Sequence, residues 1–195
     1  MINYSLITDE ELVTFFCAGQ NEAFDELLLR YKDKLYSYIS YIVKNDDVAD
    51  DLFQETFVKA IVTLRQGKYQ ENGKFYAWLT RIAHNLLIDQ FRNEKSENIT
   101  YHQDEESNLC DNGSLLVFNR ENEIIQEQML KEVKLIVDRL PTNQREVVFM
   151  RYYQDLSFKE IADITGVSIN TALGRMHYAI QNMKRMAKHI GIAAD

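Results

Sequence analysis

The stretch GKFYAWLTRIAHNLLIDQFR, Gly73 to Arg92, gathers the chain's single tryptophan, three further aromatic rings, two of them in the turn before it, two arginines and an asparagine. These residue types suit nucleic acid. An indole can stack on an unpaired base, a guanidinium can hold phosphate, and an asparagine amide can pair with a base edge. At 100° per residue, Arg81, Asn85 and Arg92 fall within about 40° of one another, with Ile88 beside them. Phe75, Leu79, Ile82, Ala83 and Leu86 form the opposite, apolar face, and Trp78 lies at the border. For Trp78 alone, a place in the core is the ordinary reading. The set of Trp78, Arg81 and Asn85 behind an aromatic, basic loop points to nucleic acid. Stacking is worth about 1–3 kcal/mol per base, so such a platform favours single-stranded or melting DNA over intact duplex.

Other residue types suggest no catalysis. His84, His102, His177 and His189 are scattered, without ligand or triad spacing. Cys17 and Cys110 match no metal or redox motif and fit a reducing cytoplasm. No catalytic residue, metal or cofactor is expected, and a hydrolase or metalloenzyme has no support.

A second constellation is acidic. Asp46, Asp47, Asp50, Asp51, Gln54 and Glu55 recur at helical three- and four-residue steps. Acids at a helix N-terminus are favoured by its dipole. This run exceeds what capping needs, so it also suggests a basic protein partner.

A third constellation lies in LSFKEIADITGVSINTALGRMHYAIQNMKRM. Ser157 can cap a short helix containing Ile161 and Ala162. Gly166 provides a tight turn, and Ser168 caps a second helix starting near Ile169. This is a helix-turn-helix layout, whose second helix can enter a major groove. Val167, Ala172, Met176 and Ile180 are expected to face inward, leaving Asn170, Thr171, Arg175, Tyr178 and Gln181 outward. No acid occurs from Gly166 to Ala194, while Arg175, Lys184, Arg185 and Lys188 can meet phosphates. The plainer alternative is a helical hairpin with solvated basic residues.

The elements that must position these groups are helices. One proline and seven glycines in 195 residues leave room for long uninterrupted ones. Thr8-Asp9-Glu10-Glu11 is a capping box. A second helix from near Asn21 carries Phe24, Leu27, Leu28, Tyr31, Leu35, Ile39 and Ile42 at helical steps. Asn45-Asp46-Asp47 opens a third, with Ala49, Leu52, Phe53, Thr56, Phe57, Ala60 and Leu64 toward a core. Gln66–Gly73 is a polar loop, and a fourth helix starts near Phe75. Residues 94–121 are acidic and poor in apolar groups, which reads as a flexible linker. Helical periodicity resumes at Ile124 or Ile125, and Leu140-Pro141-Thr142 ends that helix and opens the next. The expected fold is all-α: two small helical domains, 1–93 and 122–195, joined by the acidic linker.

Charge alternates along the chain. The net is −7 over Met1–Ala60, +3 over Ile61–Arg92, −7 over Asn93–Val133 and +3 over Lys134–Asp195, within a total of −8. This alternation suggests more than one partner surface. No apolar run reaches about 18 residues, so no membrane span is expected. The N-terminal MINYSLITDEEL suggests no secretory signal.

An acidic docking helix, an aromatic single-strand reader, a linker and a helix-turn-helix, in that order, resemble the extracytoplasmic-function group of bacterial RNA polymerase sigma factors. The matching stretches are DDVADDLFQETFVKA, FYAWLTRIAHNLLIDQFR and LPTNQREVVFMRYYQDLSFKEIADITGVSINTALGRMHYA. The resemblance implies roles. Asp50, Asp51, Gln54 and Glu55 would dock on the polymerase β′ clamp helices. The Gln66–Gly73 loop with Phe75, Tyr76, Trp78, Arg81, Asn85 and Arg92 would melt and read the −10 element. Thr171, Arg175 and His177, with Ser168, Asn170, Tyr178 and Lys184, would read the −35 element. The linker would thread the polymerase's RNA path, and the second domain would meet the β flap.

The implied partners are core RNA polymerase and promoter DNA, with no membrane contact of the chain's own. Many relatives are held by an anti-sigma factor, and another DNA-bound recruiting protein is a further expected kind of partner. Leu173, Tyr178 and Ile180 stand where many relatives carry basic residues, so −35 binding should depend less on phosphates. The rival reading is a stand-alone helix-turn-helix regulator, which would bind duplex DNA without polymerase.

Overall fold

A computed structural model describes residues 3–70, 73–98 and 133–190; side chains at 94–98 and 189–190 lie outside that description. Helix α1 is Asp9–Cys17, α2 Asn21–Val43, α3 Asp46–Arg65 and α4 Phe75–Asn98. A helical segment at 133–138, called α5, precedes α6 (Thr142–Tyr152), α7 (Phe158–Thr165) and α8 (Ile169–Ile190). A 3-10 turn, Tyr4–Leu6, leads into α1. No strand occurs among the described residues.

Side-chain caps set the helix starts. Thr8 and Glu11 form a reciprocal box at α1, and Asn45 Oδ1 accepts the Val48 amide at α3. A second box joins Ser157 and Glu160 at α7. The α7–α8 turn passes through Gly166 at φ 66°, a left-handed conformation that glycine adopts without a Cβ penalty. Pro141 precedes α6, and its carbonyl accepts the Arg145 amide at 2.9 Å.

Helices α1 to α4 form one bundle around Leu12, Phe16, Leu27, Leu35, Ile39, Leu52, Phe57 and Leu79, all buried. Helices α6 to α8 close around Val147, Met150, Leu156, Ile161, Ala172 and Met176. The two bundles touch: α7 packs on α4 and α6 on α2. Lys74 Nζ meets Glu160 at 3.0 Å across that contact, and Phe149 stacks between Tyr41 and Tyr153.

Two sequence expectations need correction. Helix α4 runs to Asn98, through the first residues of the stretch expected as a flexible linker from residue 94. The polar stretch Asn93–Asn98 contains no glycine or proline, and glutamate and lysine sustain a helix as well as most apolar residues do. Ile180 does not turn inward. It is 38% exposed, while Ala179 takes the buried place one step earlier, continuing the seam of Ala172 and Met176. The remainder of the expected linker and the start of the helix predicted from Ile124 or Ile125 lie outside the described residues.

Candidate nucleic-acid interface

The acid stripe is held on an anchored helix. Ala49, Leu52, Thr56, Phe57 and Ala60 fasten α3 to the core, so Asp46, Asp47, Asp50, Asp51, Gln54 and Glu55 are all exposed. Glu55 Oε1 pairs with Lys59 Nζ at 3.0 Å. Tyr36 of α2 lies beside the stripe, and the nearby Asp50 carboxylate pushes the tyrosine's pKa up.

The neighbouring α4 places its groups as the wheel predicts. Arg81, Asn85 and Arg92 are exposed, and Arg92 reaches Asp89 at 3.5 Å. Trp78 is half-buried. Its ring meets Tyr69 edge-on at 4.6 Å and Phe75 at 5.5 Å, so the aromatic loop supports it from one side. Phe75 itself is only 2% exposed. Its place is beneath Trp78, against Tyr31 and Tyr69, so in this arrangement its ring is closed to solvent. The first turn of α4 needs an apolar anchor on α2, and Phe75 provides it. Tyr76 is half-buried and stacks on Tyr31 at 5.0 Å; burial drives its pKa up. Its hydroxyl lies at the contact with the second bundle, near the buried Gln154 amide, and neither group has a well-formed hydrogen bond.

The helix-turn-helix stands on α7. Burial pushes the Glu160 carboxyl up, but hydrogen bonds from Ser157 and the Lys74 ammonium outweigh it, and the pKa is lowered. Ser168 Oγ accepts the Thr171 amide at 3.1 Å and so caps α8. Asn170, Thr171, His177, Tyr178 and Lys184 are exposed, while Arg175 is half-buried. His177 Nε2 and Gln181 Nε2 lie 2.9 Å apart, which presents the two side chains as a unit. Asn182 donates to Gln144 at 2.8 Å and fixes α8 to α6.

Sequence reasoning missed a cluster between the bundles. Tyr38, His84 and Glu146 are buried together, from α2, α4 and α6. Tyr38 could have been found as a core position, three residues after Leu35 and beside Ile39. Nothing local marks Glu146 or His84, whose partners in the cluster come from other helices.

The arrangement offers three exposed faces: an acidic one on α3, an aromatic and basic one on α4, and a polar one on α8 with basic residues toward its end. Among the described residues no helix is long and apolar enough to cross a membrane. Comparison with known proteins agrees with this order of parts. The family model for Sigma-70 region 2 matches residues 27–97, and that for Sigma-70, region 4 matches residues 130–183. The ECF RNA polymerase sigma-E factor of Escherichia coli (strain K12) is 32% identical over 178 residues, covering 89% of this chain and 91% of that protein. The ECF RNA polymerase sigma factor SigW of Bacillus subtilis (strain 168) is 27% identical over 180 residues, covering 88% and 92%. Two solved structures share the fold. The sigma factor RpoE of Bartonella quintana, in complex with the anti-sigma factor NepR, superposes with TM-score 0.63 at 23% identity, over 85% of this chain and 96% of that one. CnrH, in complex with the cytosolic domain of CnrY, gives 0.61 at 22%, over 93% and 97%. The chain belongs to the extracytoplasmic-function group of RNA polymerase sigma factors, in the sigma-70 family.

Proposed function

We propose that this sigma factor brings core polymerase to promoters through three separate faces. It is a non-enzymatic initiation factor, and the stand-alone regulator reading gives way to the polymerase-binding one. Asp50, Asp51, Gln54 and Glu55 dock on the β′ clamp helices. Trp78, Arg81, Asn85 and Arg92 take hold of the −10 strand as it leaves the duplex, with Phe75 and Tyr76 bracing Trp78 and its helix. Ser168, Asn170, Thr171, Arg175, His177, Tyr178 and Lys184 meet the −35 duplex. The domains are 1–93 and 122–195, the first extended by the end of α4, and the second also meets the β flap.

One observation carries this reading. The exposed acid stripe of α3 and the exposed Arg81–Asn85 stripe of α4 sit on two helices packed directly together. Docking through the first therefore delivers the second to DNA in a fixed relation. With a net charge of −8, the free chain should be a poor DNA binder, so polymerase supplies most of the attraction to DNA. The protein works in the cytoplasm, where its polymerase is. An anti-sigma factor, or another DNA-bound protein, is a further proposed partner. The two solved relatives are each in complex with a second protein.

The test is run-off transcription with purified core polymerase. Promoter-specific initiation that needs both components is the expected result. Tight duplex binding without core, and no specific initiation with it, would return the regulator reading.

A further inference from the structure

Gly174 lies inside α8, in its second turn, where glycine costs about 0.5–1 kcal/mol relative to alanine. Nothing inside the described chain calls for it. A Cβ built there meets no atom within 4 Å, and the residue has no positive φ. At 100° per residue Gly174 points almost directly away from the buried seam of Ala172, Met176 and Ala179. Its neighbours one turn away on the surface are Asn170, Thr171, His177 and Tyr178, all exposed. Together they ring a notch one methyl deep on the helix's outward face.

A glycine that the fold does not need, on the outward face near the start of a helix read as entering a groove, admits something brought from outside. That surface carries no acid, and the chain has none from Gly166 to Ala194, so a polyanion can approach closely. In the major groove the group that projects as a methyl is the C5 methyl of thymine. Apolar surface continues beside the notch at Leu173, 44% exposed, and Tyr178, 60% exposed.

We propose that Gly174 is a specificity-determining position, where α8 seats a thymine methyl of the −35 duplex, while Asn170 is placed to pair with an adjacent adenine. This inference rests on the reading of α8 as the −35 helix. Lengthening residue 174 by one methyl fills the seat and lifts the helix from the groove. Removing the thymine methyl empties the seat and leaves base pairing unchanged.

The experiment uses the full chain with core polymerase and a duplex pool randomised over both promoter elements. The enriched templates are then remade with deoxyuridine in place of each −35 thymine in turn. At one position deoxyuridine should lower −35-dependent initiation about fourfold, the worth of one buried methyl. Gly174→Ala should keep or raise the thermal midpoint, lower the same initiation at least about fivefold, and be indifferent to deoxyuridine at that position. Templates with a premelted −10 and no −35 element should serve Gly174→Ala as well as the parent. Equal initiation by Gly174→Ala on −35-dependent templates would overturn the proposal, as would indifference of the parent to deoxyuridine at every position. So would the enrichment of −10 sequences alone, which leaves the sigma-factor reading intact. Failure of the pool to yield any promoter-specific initiation would remove that reading, and this inference with it.

Discussion

The Tyr38 hydroxyl of α2 donates a 2.6 Å hydrogen bond to Glu146 of α6, joining the two bundles through residues 108 positions apart in sequence. His84 of α4 brings Nδ1 to 2.8 Å from the same carboxylate oxygen. The contact is closed to water, with Tyr38 wholly buried and Glu146 only 7% exposed. A carboxylate so placed has few other partners, so its two neighbours largely decide whether the bundles stay together. The ring stack of Tyr41, Phe149 and Tyr153 and the Lys74–Glu160 pair lie around it.

Replacing Tyr38 by phenylalanine keeps the ring and removes one donor to a buried charge. Such a bond contributes about 1.5–3 kcal/mol. Tyr38→Phe should therefore loosen the bundle-to-bundle contact and leave each bundle folded. Small-angle scattering of the free protein should show a larger radius of gyration, with helical circular dichroism unchanged. Glu146→Ala should do the same more strongly, because it leaves Tyr38 and His84 without their acceptor. An unchanged radius in both variants would assign the contact no part in holding the bundles together.

The same interface predicts an alkaline limit. Burial, and then Glu146, raise the Tyr38 pKa well above its ordinary value of 10.0, and burial also raises Tyr41 and Tyr76. These phenols keep their protons in the folded state after the unfolded chain has begun to lose them. Their contribution is complete below the unfolded value and is lost as pH rises past it toward the folded one. The slope is roughly 1.4 kcal/mol per pH unit for Tyr38, and less for the partly open Tyr41. Urea midpoints measured from pH 8 to 11 should fall above about pH 10, and less steeply for Tyr38→Phe.

The helices were largely legible from sequence because their signals are local. Thr8, Asn45 and Ser157 announce starts by cap chemistry, Gly166 marks the turn, and the core of α3 follows its three- and four-residue steps. The exposed stripe of Arg81, Asn85 and Arg92 follows from periodicity alone. What stayed hidden depends on tertiary packing. Thr80, His84 and Gln154 are polar yet buried, and no periodic rule places such residues inside. The end of α4 is hidden because its polar composition resembles a loop, although nothing in Asn93–Asn98 breaks a helix. Ala179 and Ile180 are both apolar, and only packing chooses which of them turns inward.

Trp78 is braced by Tyr69 and Phe75 but half-open to solvent, so one face can receive a base. Trp78→Ala should spare core binding and lower promoter opening by roughly ten- to a hundredfold, the range of one lost base stack. Permanganate reactivity of −10 thymines on a duplex promoter reads this directly. On a premelted template the deficit should shrink, because the cost of unpairing has been met in advance. Unchanged reactivity would return Trp78 to a purely structural part.

The basic groups of α8 bear on salt dependence more than on sequence. Arg175, Lys184, Arg185 and Lys188 can together neutralise about four phosphates, which gives a log–log salt slope of roughly −3 to −4 for the −35 contact. Arg185 also donates to Asn182 at 3.0 Å, which holds its guanidinium against α8. Lys184→Ala should weaken holoenzyme binding uniformly across −35 variants and reduce the slope by about one unit. Asn170→Ala should instead leave the slope unchanged and relax preference at one base pair, a difference of about 1–3 kcal/mol between right and wrong bases. Titrations at several potassium chloride concentrations, on matched and mismatched −35 duplexes, separate the two effects. If Lys184→Ala changed preference while Asn170→Ala changed only the slope, the assignment of phosphate and base contacts along α8 would have to be reversed.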